Sequence, residues 1–99
     1  MKTAKEISDM IYEKEKELTE IVYNRDILVK QMDDKISDLT LNTNFKAQNI
    51  TNANGREAFI KSHTADERVE LVEYKKQIGI RKAEIEFLKR AFELVKEKT

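Results

Sequence analysis

Apolar residues recur along this chain at alternating steps of three and four, in two long runs separated by a polar interval. In the second run the walk from Leu71 lands on Tyr74, Ile78, Arg81, Ile85, Leu88, Phe92 and Val95, and seven of these eight are apolar or aromatic. That is a heptad seam with Leu71 at position a and Tyr74 at d, and it predicts a coiled-coil-like helix over 64–98. The first run steps from Ile7 to Ile11, Lys14, Leu18, Ile21, Arg25, Leu28, Met32, Lys35 and Leu39, with seven of ten apolar. It predicts a helix over 4–40. Thr3 with Glu6, and Thr64 with Glu67, have the spacing of a capping box at the head of each helix. The second helix would be about 50 Å long, too long for the inside of a 99-residue globule, so it needs a partner of similar length. The expected fold is all-α: a long antiparallel helical hairpin forming a single domain, 1–99.

The interval 41–63 has a different character. It carries Asn42, Asn44, Asn49, Asn52 and Asn54, and Gly55 follows the last of them. Asparagine competes for backbone hydrogen bonds and favours turns and caps, so Asn54-Gly55 reads as a turn. From Arg56 the run R-E-A-F-I-K-S suits a helix of two turns. The reading is an irregular link of about 12 residues and then a short helix, with Phe45, Ile50, Phe59 and Ile60 as the plugs that hold it down. In a hairpin of this layout the two seam exceptions, Arg25 and Arg81, should fall near one level, with Asp26 and Glu84 as partners. Charge at a seam fixes register at some cost in stability.

Both helices have apolar faces wider than one seam. Val22, Val29 and Ile36 run at spacing seven beside the first seam, and Ile80, Phe87 and Leu94 run at position c beside the second. Two helices cannot cover all of this surface. The expectation is a homo-oligomeric helical bundle with these six residues at the interface, unless the link and short helix fold back over the extra stripe.

Composition narrows the classes. Charged residues are 38% of the chain, with two glycines, no proline and no cysteine. Long exposed helices suit that profile, and disulfides and thiolate metal sites are excluded. No apolar run approaches the roughly 18 residues of a membrane span, and M-K-T-A-K-E is not a secretory leader. A cytoplasmic protein, without membrane attachment, is expected. The formal net charge is zero, but residues 1–40 carry seven Lys/Arg against ten Asp/Glu, and residues 41–99 carry twelve against nine. Any nucleic-acid signal must therefore be local.

One local signal is a row of cations at position e of the second helix: Arg68, Lys75, Lys82, Lys89 and Lys96, spaced by sevens. The first helix offers Ser8, Glu15, Val22, Val29 and Ile36 opposite, a single carboxylate. Three readings stand: a solvated face, a row of intersubunit salt bridges, or a track for the phosphates of a nucleic acid. A second signal is Lys46, Arg56 and Lys61 in the link beside Phe45 and Phe59, where rings near cations can stack single-stranded bases or simply form core. His63 has no metal-ligand or catalytic companion and reads as a polar residue near the start of the second helix. No phosphate loop, dinucleotide fingerprint, zinc-protease helix or nucleophile elbow is present. Carboxylate pairs such as Asp33-Asp34 read as solvated faces. The chain is expected to be no enzyme, with no cofactor, no metal and no small-molecule substrate.

The run 41–61 also resembles a type of small bacteriophage early-region protein. Those chains carry N-T-x-F/W-K and then T-N followed by R-x-A-Y/F-I/V between two charged helices. The matching residues here are Asn42, Thr43, Phe45, Lys46, Thr51, Asn52, Arg56, Ala58, Phe59 and Ile60. The helical layout is loosely similar to recombination mediators of the UvsY type, which oligomerise and bind single-stranded DNA. The resemblance implies an oligomeric phage accessory protein in the host cytoplasm, binding single-stranded nucleic acid or a recombination or replication protein. The alternative reading is a protein–protein module that inhibits a host nuclease or defence complex.

Overall fold

A computed structural model describes residues 2–97. Among them are three helices and no strand: α1, Ala4–Asn42; α2, Ala53–His63; and α3, Ala65–Glu97. No helix among the described residues is long and apolar enough to cross a membrane. The predicted helix over 4–40 runs two residues further, and the predicted end of the last helix at 98 lies outside the described residues. The chain divides into two compact units. One brings together the residues up to Asn24 and those from Tyr74 on; the other is Arg25–Glu73.

In the first unit, α1 opens as its sequence requires. The Glu6 backbone N–H donates to Thr3 Oγ1 at 3.2 Å, and the Thr3 N–H reaches Glu6 Oε1 at 3.5 Å. This is the reciprocal capping box. The first half of α1 packs antiparallel to α3: Lys14 meets Glu84, and Glu17, three residues further on, meets Arg81, three residues back. The seam supplies the buried side chains, Ile7, Ile78, Ile85 and Leu88. Ile11, Leu18, Ile21, Phe92 and Val95 are only half-buried. A layer of two helix segments leaves each seam residue with neighbours on one side only.

The second unit corrects three expectations. Asn54-Gly55 is not a turn, because α2 begins at Ala53 and both residues lie in its first turn. The reason is Asn52, whose side-chain oxygen caps the helix by accepting from the Gly55 N–H at 2.6 Å. The link is thus shorter than expected, 43–52, and α2 longer at 11 residues. Within the link, Asn44 Oδ1 accepts from the Ala47 N–H, and Asn49 sits at φ 60°. The Ile50 N–H bonds to the Phe45 carbonyl and the Asn49 N–H to the Lys46 carbonyl. That pair of bonds around a left-handed residue is a Schellman closure, with asparagine where glycine is commonest. Phe45, Ile50, Phe59 and Ile60 are half-buried, in keeping with their expected role as plugs.

The capping box expected at Thr64 and Glu67 does not form. Thr64, between α2 and α3, is fully buried. Its hydroxyl donates back to the Ile60 carbonyl at 2.9 Å and accepts from Arg68 Nε at 3.0 Å. Glu67 instead pairs with Lys35 across the unit at 2.8 Å. Because α2 ends only two residues before α3 starts, Thr64 donates to the helix behind it, and its oxygen accepts from the Arg68 side chain rather than from a backbone N–H of the helix ahead. The Lys35–Glu67 contact also sets register: Glu67 lies in the first turn of α3, yet Lys35 lies seven residues before the end of α1.

Candidate functional site

The surface of the first unit sorts by helical position on α3. Residues advance about 100° per position, so position c lies roughly 160° from position e around the axis, with the seam between d and a on the longer side. The c positions are Ile80, Phe87 and Leu94. Their exposures are 40%, 71% and 60%, so the stripe expected to lie at an interface is open in this unit. The other stripe fares differently. Val22, Val29 and Ile36 are each half-buried within their own chain, so that part of the expected interface is largely covered by packing inside the chain.

Beside the open stripe lies a shallow groove lined by Met10, Lys14, Ala83, Glu84, Phe87 and Leu88. Ala83 and Ala91 stand one turn before and one turn after Phe87 on the same face. Small side chains there leave the Phe87 ring standing clear of the helix. The wall formed by Lys14 and Glu84 belongs to a four-residue ion-pair cluster. Lys14 Nζ is 2.8 Å from Glu84 Oε2 and 3.6 Å from Glu17 Oε2, and Arg81 Nη1 is 3.3 Å from Glu84 Oε1. Arg81 Nε and Glu17 Oε2 lie 2.9 Å apart yet off the hydrogen-bonding line, so their attraction is Coulombic rather than a directed bond. The hydrogen bond from Lys14 holds the Glu84 carboxyl below its ordinary range. The same bond raises the Lys14 ammonium against an opposing effect of burial.

This cluster corrects the expected register. Arg81 does have Glu84 as a partner, and Arg25 does pair with Asp26 at 2.9 Å. But the level of Arg81 on α1 is that of Glu17, about one heptad before Arg25. The expectation assumed that the end of α1 faces the start of α3. The Lys35–Glu67 pair shows that α1 overshoots that start, because α2 takes up the chain in between.

The e row is only partly available. In the first unit Lys75, Lys82 and Lys89 are exposed. Lys89 meets Glu15 at 3.7 Å, the one carboxylate that the opposite helix offered. Lys75 and Lys82 make no ion pair among the described residues, whereas Lys96 has a partner. The shallow groove along this flank is lined by Lys82 and Lys89 together with Glu15 and Glu86. Its cations and acids are equal in number, so it offers a phosphate chain little net attraction.

The link cations belong to the second unit, where Lys46, Arg56, Lys61 and Arg68 are all exposed. The rings beside them are engaged with one another. Phe45 meets Phe59 edge to face at 5.5 Å, and His63 stacks on Phe59 at 4.1 Å. His63 is the last residue of α2 rather than a residue of the following helix, and its Nδ1 lies 2.9 Å from the Phe59 carbonyl oxygen. Phe59 therefore has a ring on one face and an edge contact besides. The two rings pack against one another and stay half-buried.

Sequence reasoning paired Arg81 with Glu84 but did not bring Lys14 and Glu17 to them, and it did not single out the Lys35–Glu67 pair. Lys14 and Lys35 were visible as polar breaks in the first seam, and those breaks were the available signal. No family model matches this chain, and neither does any curated protein or any solved structure.

Proposed function

We propose that this chain is a non-enzymatic accessory protein that works by helix docking, with the apolar c face of α3 as its contact surface. The resemblance of residues 41–61 to phage early-region proteins supports a task in replication or recombination. The observation that carries the reading is the exposure of Phe87 at 71%, continued by Leu94 and Ile80 at spacing seven. An apolar row of this length, flanked by charge, loses free energy in water and gains it against another amphipathic helix. Replacing Phe87 by the photo-crosslinker p-benzoylphenylalanine in the cell that encodes the protein tests it. Protein adducts should form from position 87 and vanish when Leu94→Glu is added. No adduct at position 87 sinks the reading.

A second reading has its own observation. Lys75 and Lys82 are exposed, unpaired among the described residues and about 160° from the apolar stripe around the helix. A single strand lying along them would bind with a salt dependence of about 0.7 per phosphate contact. Binding of a short labelled single strand at low salt, lost on Lys75→Glu with Lys82→Glu, would put this reading first.

A further inference from the structure

We infer that the helix seated on the c face of α3 is α3 of a second copy of this chain, antiparallel, with the two-fold axis passing beside Phe87. This rests on the docking reading above and names its partner.

The face is self-complementary about one residue. Ile80 and Leu94 lie seven positions either side of Phe87, and Ala83 and Ala91 lie four positions either side. A two-fold contact requires each residue i that meets j to have j meeting i. Reversing the stripe about Phe87 superposes large on large, Ile80 on Leu94. Each Phe87 ring then faces the other copy's ring, beside the small Ala83 and Ala91. The groove against Phe87, lined in part by Met10, Ala83 and Leu88, gives that ring an apolar seat.

The charges agree with the same axis. In an antiparallel pair centred on position c, the f row of one helix runs beside the f row of the other. Lys76 then comes within about one residue rise, roughly 1.5 Å, of the level of Glu97 of the second copy. Arg90 comes within about two residue rises of the level of Glu86 of the second copy, roughly 3 Å. Arg90 is 78% exposed and only 3.8 Å from Glu86 of its own chain, a loose contact that can be shared. Lys76 and Glu97 are exposed. On the other flank the g row sets Glu84 within one residue rise of Ala91, so Glu84 meets no like charge there. A parallel pairing would put the f row beside the g row, with Lys76 one residue rise from Gln77 and Arg90 one rise from Ala91, and would join no opposite charges among the described residues. Charge complementarity therefore selects the antiparallel arrangement.

Sedimentation equilibrium on the purified chain, from micromolar to several hundred micromolar, tests this. The expected species is a dimer of the 11.6 kDa chain. Phe87→Glu should weaken it by more than about tenfold, because a carboxylate would be desolvated at the axis, and the uncharged Phe87→Ser should weaken it too. Helix content should hold in both variants, since the side chain is open in the single chain. Lys76→Glu and Glu97→Lys should each weaken the dimer about two- to tenfold, and the two together should restore it to within about twofold. A monomer at every concentration overturns the second copy as occupant, while adducts to another protein from position 87 would still support docking. A dimer indifferent to both Phe87 variants overturns the face itself. A dimer that needs Phe87 but shows no rescue by the charge swap overturns the antiparallel axis.

Discussion

The two units of this chain are held by different means. The unit of residues up to Asn24 and from Tyr74 on contains Ile7, Ile78, Ile85 and Leu88 as buried apolar side chains. The unit Arg25–Glu73 has one among the described residues, Leu28, beside the fully buried Thr64. Most of the hydrogen bonds recorded for the second unit join residues three to five apart: Asn44 to Ala47, Phe45 to Ile50, Asn52 to Gly55, Ile60 to Thr64. The first unit relies on contacts between residues about 70 apart in sequence, such as Lys14 with Glu84. Apolar burial between distant segments fixes one unit, and local capping fixes the other. Stability need not be uniform in such a chain, and each unit answers to its own kind of substitution.

The sharpest way to break the comparison is at the seam. Leu88→Ala removes a side chain only 9% exposed and should cost about 2–5 kcal/mol. Amide exchange should accelerate most in residues 4–24 and 74–97. If residues 25–73 lose as much protection, the two units are one cooperative block and the contrast fails.

Thr64→Val is the matching test of the second unit. It keeps shape and β-branching but removes the hydroxyl that serves Ile60 and Arg68. The loss should be about 1–3 kcal/mol, because Arg68 is left without its buried acceptor. Exchange should rise in 53–73 first.

The glycines give a smaller, signed comparison. Gly79 lies in α3, and a Cβ there would meet nothing within 4 Å. Gly79→Ala should raise stability by about 1 kcal/mol through helix propensity alone. At Gly55 a Cβ would stand 3.1 Å from Ile50 Cγ2 and 3.2 Å from Asn52 Oδ1. The same substitution there should gain less, or lose, since it presses on the capping oxygen of α2. Thermal melts of the two variants decide the sign.

The smallest effect expected is that of pH. Hydrogen bonds from Lys14 and Lys35 hold Glu84 and Glu67 below the ordinary carboxylate value of 4.5. Their contributions are complete above about that value and fall away as pH drops through the lowered folded values. Lys14 is held above 10.5 by Glu84, so its contribution is complete below that pH and fades as pH rises through the raised value. Both units should therefore soften in acid, and only the first in alkali. Melting temperature against pH, compared with Glu84→Gln and Glu67→Gln, separates the two. Glu84→Gln should flatten both limbs and Glu67→Gln the acid limb alone.

How much of this was legible before the fold depends on the distance over which each feature is decided. The heptad walk marked both long helices and the buried Ile7, Leu28, Ile78, Ile85 and Leu88, because a repeat of three and four is a property of one helix read alone. Thr3 with Glu6 could be read for the same reason. The c stripe of Ile80, Phe87 and Leu94 was also legible, as was the surplus it makes on α3. Asn52 as the cap of α2 was missed, since Asn54-Gly55 gave an equally good local turn and nothing nearby decided between them.

What only the tertiary structure decided was register and cover. The composition of α1 does not say that its last turns overshoot the start of α3. That follows from α2 ending at His63, from the bond of Thr64 back to Ile60, and from Glu67 finding Lys35. A shift of one heptad preserves the seam almost unchanged in apolar content, so the pattern alone cannot choose between registers. The choice falls to a few charged pairs whose partners are visible only once the helices are side by side. For the same reason Val22, Val29 and Ile36 looked as bare in sequence as Ile80, Phe87 and Leu94, and only the packing told the half-covered row from the open one. Periodicity belongs to the single helix and is written in its sequence, whereas burial belongs to the pair and depends on which neighbour arrives.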